Sequence, residues 1–139
     1  MTYMPATLVL MNETITTAQT ASVKTSVNGL ARAKTIALQC NFTYGAGGTT
    51  AKVWVQTSFD AGLTWVDIAN FAHTTASLRQ LYGLNVAGSF GTIVTATDGT
   101  LADNTSVDGL FGDQLRVKFT STGTYSGGTT VRVDVTAKE

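Results

Sequence analysis

The stretch Ala51–Phe71, AKVWVQTSFDAGLTWVDIANF, constrains the chain most. It reads as strand, tight loop, strand. Successive strand residues face opposite sides of a sheet, so Val53, Val55 and Thr57 share one face and Lys52, Trp54 and Gln56 the other. On the next strand Val66 and Ile68 repeat the apolar set, with Trp65, Asp67 and Ala69 opposite. Register follows from keeping apolar positions on one face. Pairing Val53 with Ile68 and Val55 with Val66 does so. That register sets Trp54 opposite Asp67, with Trp65 diagonal to Trp54, about 7–8 Å away. Both tryptophans are thereby predicted on the face turned away from the core.

The loop between these strands has the pattern S-x-D-x-G-x-T-W, carried by Ser58, Asp60, Gly62, Thr64 and Trp65. It resembles the Asp-box, a hairpin motif repeated in sialidase propellers and found singly in other β proteins. The chemistry is that of a turn. Asp60 can accept bonds from loop N–H groups, Gly62 permits positive φ, and Trp65 caps the loop. A propeller needs the motif once per blade. It occurs once here, which removes the sialidase reading and leaves a structural role.

Of 139 residues only 13 % are charged, and the net charge is zero. That balance lacks the electrostatic footprint of a nucleic-acid binder. Threonine is the commonest residue, with many glycines and valines, which favours strands and turns over helices. The length suits one hydrophobic core. No apolar run approaches the roughly 20 residues of a membrane-spanning helix. The N-terminus has no basic segment ahead of its short apolar run, so no signal peptide is expected. The lone Cys40 cannot form an internal disulfide. Both features suit synthesis in the cytoplasm.

Residues 1–19 are expected to be an N-terminal arm or edge strand, with a partly ordered terminus as the plain alternative. Residues 20–139 are expected to form a single β-sandwich domain. Ala21–Val27 is a short strand candidate, followed by a turn at Asn28-Gly29. Arg32–Tyr44 alternates over its whole length, with Ile36, Leu38, Cys40, Phe42 and Tyr44 on one face. Cys40 lies within that apolar set and is expected to be a buried, inert thiol. Further strands are predicted near Leu78–Tyr82, Thr92–Thr95, Gln114–Thr120 and Val131–Val135. Asp98–Asp113 reads as loop. TYGAGGTT at 43–50 is echoed by TYSGGTT at 124–130, each before a valine-alternating strand. The echo suggests two similar hairpins, one in each of two packed sheets, or convergence on common turn residues. The fold expected is all-β: an antiparallel β-sandwich or jelly roll of about eight strands.

Catalytic constellations are sparse. The chain has one histidine, His73, and one cysteine, and no G-x-S-x-G elbow. Glutamates occur only at Glu13 and Glu139, and the aspartates fall mostly in turns. No enzyme activity and no cofactor are expected. Asp98, Asp103, Asn104 and Asp108 carry oxygen ligands that calcium would accept, but their spacing is not that of an EF-hand and a solvated loop is the better reading. Trp54, on an otherwise polar face, is read as a protein interface, as a platform for a sugar ring, or as covered within the chain. Leu8, Val9, Leu10, Met11 and Trp65 join Trp54 as the candidate protein interface.

The segment GLARAKTIALQCNF leading into VWVQTSFDAGLTWVDIANF, together with VDGLFGDQLRVKFTSTGTYSGGTTVRVDV, resembles small virion structural proteins of tailed bacteriophages. The resemblance covers about two-thirds of the chain and brings no catalytic residue. It implies a virion component, made in the host cytoplasm, of the capsid decoration or cement type. The implied partner is the major capsid protein or another virion protein, and the implied form is a homo-oligomer, with a trimer among the options. No nucleic-acid or membrane partner is implied. The alternatives are a neck or tail structural protein and a glycan-binding sandwich.

Overall fold

The computed structural model describes residues 6–86, 91 and 93–139, and among them there is no helix. Ten strands follow in order: β1 Ala6–Thr14, β2 Ser22–Val23, β3 Thr35–Thr43, β4 Ala46–Gly47, β5 Thr50–Ser58, β6 Val66–His73, β7 Leu78–Asn85, β8 Gln114–Thr122, β9 Tyr125–Ser126 and β10 Thr130–Lys138. All pair antiparallel. One sheet has the order β1-β10-β3-β7, the other β2-β8-β5-β6, and β4 and β9 form a two-stranded ribbon. The result is a β-sandwich, as expected.

The core comes from strict alternation. Ile36, Leu38, Cys40 and Phe42 of β3 and Val131, Val133, Val135 and Ala137 of β10 are fully buried from one sheet. Ala51, Val53 and Val55 of β5 and Leu115, Val117 and Phe119 of β8 meet them from the other. Each such valine, leucine or phenylalanine contributes about 1.5–3 kcal/mol on burial.

The β5–β6 register differs from the expected one. Val53 pairs with Phe71, Trp54 with Asn70, Val55 with Ala69, Gln56 with Asp67 and Thr57 with Val66. Ile68 is the extra residue of a β-bulge. The reason lies in spacing. Asp67 and Asn70 both turn outward although they are three residues apart, which a strict period of two forbids. One inserted residue restores the phase. Ile68 and Ala69 then both lie buried, so Ala69 is not opposite Ile68 as the alternation suggested. The same device operates in β1. A bulge between Val9 and Met11 makes Leu10 and Met11 consecutive buried residues.

The two echoed glycine turns do not close hairpins. The first carries the chain from β3 to β5 in the opposite sheet, and the second returns it from β8 to β10. The turns pair with each other, Ala46 with Ser126 and Gly47 with Tyr125. A Cβ on Gly45 would lie 2.3 Å from the Gly127 carbonyl oxygen, and one on Gly47 2.3 Å from that of Thr124. Gly45 and Gly47 are therefore a packing requirement of two corners in contact.

Of the strand predicted at Thr92–Thr95, Thr92 lies outside the described residues, and 93–95 are irregular. Residues 97–107 are also irregular, yet they form a strap along the free edge of β6. The Asp67 amide donates to the Thr97 carbonyl at 2.8 Å, Asn70 to Thr105 at 2.9 Å, and Val107 to Ile68 at 2.8 Å.

Candidate functional site

The strap decides the fate of Trp54. Asp67 is buried, and its carboxylate accepts the backbone amides of Gly99, Thr100 and Leu101 at 2.8–3.1 Å. It also accepts Thr97 Oγ1 at 2.9 Å and Gln56 Nε2 at 2.8 Å. Three consecutive amides converge on one carboxylate, an arrangement of charge-assisted bonds that fixes the strap. Trp54 turns away from the core as its strand position requires, but only 7 % of it is exposed. Its Nε1 donates to the Leu101 carbonyl at 3.0 Å. The ring is covered within the chain, with its indole N–H bonded to the strap. It offers no open platform for a sugar ring.

The other expected interface residues separate. Leu10 and Met11 belong to the core, Leu8 packs partly against it, and Val9 alone of the run is exposed. Val9 lines a cleft with Val23 and Val27, whereas Trp65 lines a different one. The structure does not bring the six into one surface.

Ser58, Asp60, Gly62, Thr64 and Trp65 do assemble into one loop. Ser58 Oγ donates to Asp60 Oδ1 at 2.9 Å and accepts the Gly62 amide at 2.8 Å. Asp60 Oδ1 accepts the Thr64 amide at 2.8 Å, and Oδ2 accepts the Thr64 hydroxyl. These bonds, those of Thr64 first, hold the Asp60 carboxyl below its ordinary range. Gly62 has φ +89, and Trp65 Nε1 donates to its carbonyl at 3.2 Å. The Arg116 guanidinium stacks 4.3 Å from the centre of the Trp65 ring. Every polar member of the motif is occupied with holding the loop.

What this rigid loop displays is apolar. Phe59 is 61 % exposed and Leu63 82 %. Phe59, Trp65 and Val66 share a cleft of about 260 Å³ with Val94, Ala96 and Leu110. Ile93, beside Val94, is 92 % exposed. Phe59 thus lines an apolar cleft, and Leu63 and Ile93, next in the chain to its lining residues Thr64 and Val94, are exposed as well. The signal was in the sequence: Phe59 and Leu63 occupy the variable positions of a turn motif, where polar residues are the rule.

Cys40 and His73 form a second internal group. Cys40 Sγ lies 3.4 Å from His73 Nε2, and the His73 ring stacks on Phe42 at 4.8 Å. Burial pushes the thiol up to about 12 and the imidazole down to about 4. A thiol so weakly acidic beside an imidazole so weakly basic does not give up its proton to it, which leaves the pair unsuited to forming a thiolate nucleophile.

The four oxygen-bearing loop residues do not converge. Asp98 binds Lys118 at 2.6 Å, Asp103 pairs with Lys52 at 3.0 Å, Asn104 Oδ1 accepts the Ala72 amide, and Asp108 accepts that of Asn85. Among the described residues no cluster of His, Cys, Asp or Glu is arranged to hold a metal ion.

Comparison with models of known protein families finds no match for this chain, and comparison with curated proteins finds none either.

Proposed function

We propose that this chain is a non-enzymatic structural protein of a tailed-bacteriophage virion that decorates the capsid and bridges major capsid subunits. The observation that carries the reading is the hairpin end. Phe59 and Leu63 stand exposed on a loop whose polar atoms are internally bonded, and Ile93, in the segment that supplies Val94 and Ala96 to the same cleft, is exposed as well. Large exposed apolar side chains flanking an apolar cleft on a charge-poor protein fit a protein partner better than solvent. The resemblance of Gly29–Phe71 and of the closing strands to small virion proteins supplies the kind of partner.

The mechanism is area burial repeated over many copies. Covering each of the three side chains contributes on the order of 1.5–3 kcal/mol. Association entropy offsets much of this for one copy. Contacts with two capsid subunits at once make the second contact intramolecular, which raises the effective affinity. A bridged pair of subunits then separates only when both contacts break.

The test uses particles lacking the protein and recombinant protein added back. Wild type should bind and raise the temperature at which the particles release their genome. Leu63→Ser and Ile93→Ser should fold normally, bind less and protect less. Equal binding by both variants would remove the hairpin end from the interface. Binding without any gain in particle stability would remove the cementing role.

A further inference from the structure

The four sheet edges are treated unequally. β2 is only two residues long, and β1 is broken by its bulge. β6 is bonded along its length to the strap. Short edges, bulges and covering segments are the usual protections against strand addition. β7 is covered only at its C-terminal end, by Asp108 and Gly109 against Asn85 and Val86; the rest of its outer edge has none of them. It is eight residues long, and its register with β3 is unbroken from Leu78 to Asn85.

The direction of its backbone groups can be assigned from two bonds. The Val86 amide donates toward β3, to the Lys34 carbonyl at 2.8 Å. The Asn85 amide points away from β3, to Asp108 Oδ1 at 2.8 Å. Backbone groups alternate along a strand, so Arg79, Leu81 and Gly83 also present theirs to the open edge. Among the described residues these three meet no partner on that side. Their side chains share the outer face, where Leu81 is 61 % exposed. A Cβ on Gly83 would have nothing within 4 Å.

We infer that the β7 edge joins β7 of a second copy of this chain, antiparallel about a two-fold axis at Leu81. This register makes hydrogen-bonded pairs of Leu81 with Leu81 and of Arg79 with Gly83, twice over, and so uses all three free positions. It is also the register the charges allow. Arg79 lies opposite a glycine with open space above it, not opposite another arginine. Leu81 meets its own copy, and a non-polar cross-strand pair adds to the backbone bonds. The contact is isologous, closes at two, and joins two four-stranded sheets into one of eight strands. It lies on a different element from the hairpin end and does not depend on the virion reading.

The experiment measures mass in solution across a dilution series, by light scattering or sedimentation, with three versions of the full chain. Wild type should show the dimer mass. Leu81→Lys should show the monomer mass, because two lysines would face each other on the axis, and should keep a cooperative melt whose midpoint does not change with protein concentration, unlike that of the dimer. Leu81→Cys should form an intermolecular disulfide on mild oxidation, since hydrogen-bonded pairs place Cα atoms about 5.5 Å apart, within disulfide reach. Leu63→Cys, on the hairpin loop, serves as the collision control. A wild-type chain that stays monomeric overturns the inference. So does a dimer that survives Leu81→Lys, or Leu81→Cys that crosslinks no faster than Leu63→Cys. If the lysine variant fails to fold, the cysteine pair decides alone.

Discussion

At the scale of single residues, three buried groups set the behaviour of the chain. Asp67 holds the strap through three consecutive backbone amides. Asp67→Ala leaves those donors without an acceptor and is expected to cost about 3 kcal/mol or more. Because Trp54 lies under the same strap, its fluorescence should also shift to the red. A denaturant titration followed at the tryptophan band checks both; a loss of stability with unshifted emission would separate Asp67 from the cover of Trp54. His73 sets a pH dependence. Its folded value of about 4 lies below the ordinary 6.5, so between those values the unfolded chain binds a proton that the folded chain does not. Stability is full above about pH 6.5 and falls as pH drops toward 4, at up to about 1.4 kcal/mol per pH unit. His73→Gln should flatten that slope in the same titration run from pH 7 to 4.5. Cys40, raised to about 12 by burial, should resist a thiol reagent in the native protein and react on unfolding. Ready native-state labelling would contradict its placement.

At the scale of elements, the sequence was legible where one period held. In β3, β8 and β10 a strict alternation of two runs from end to end, and the buried residues are those it selects. β6 departs from the period because Asp67 and Asn70 both face outward, and only a bulge reconciles them. The bulge is visible in the polar spacing once the strap that needs both residues is known. The strap itself has no period. It is recognisable only from the amides it brings to Asp67, thirty or more residues earlier in the chain. The hairpin motif at Ser58–Trp65 was fully readable because all of its bonds are local. The echoed glycines were readable as turns, but their role as paired corners depends on which sheet each strand joins. That role is testable. Gly47 has φ +70 and a carbonyl 2.3 Å from where a Cβ would stand, whereas Gly128 has φ +81 and open space. Both pay the left-handed strain of about 1–2 kcal/mol on substitution by alanine, and Gly47→Ala adds a clash. Equal destabilisation of the two variants, measured by chemical denaturation, would contradict the contact between corners.

At the scale of the whole molecule, the sandwich separates its tasks by position. The core and the paired corners hold the two sheets together. The strap seals β6 and Trp54. The hairpin end displays Phe59 and Leu63, Ile93 is exposed next to the cleft residue Val94, and the β7 edge displays backbone. A dimer through β7 would carry two hairpin ends, so each dimer could engage neighbouring sites on a shell. This arrangement also predicts where substitutions are tolerated. Serine at Leu63 or Ile93 should leave the melting temperature of the isolated protein within about 1–2 °C of wild type, because neither side chain is buried in the fold. The measurement that bears most directly on the proposed role is the copy number and position of the protein on purified particles, by quantitative mass spectrometry and cryo-electron microscopy. A decorating protein should be present at a copy number comparable with that of the major capsid subunit, with its hairpin end against the shell. A copy number matching a single neck or tail ring, or absence from the particle, would contradict it.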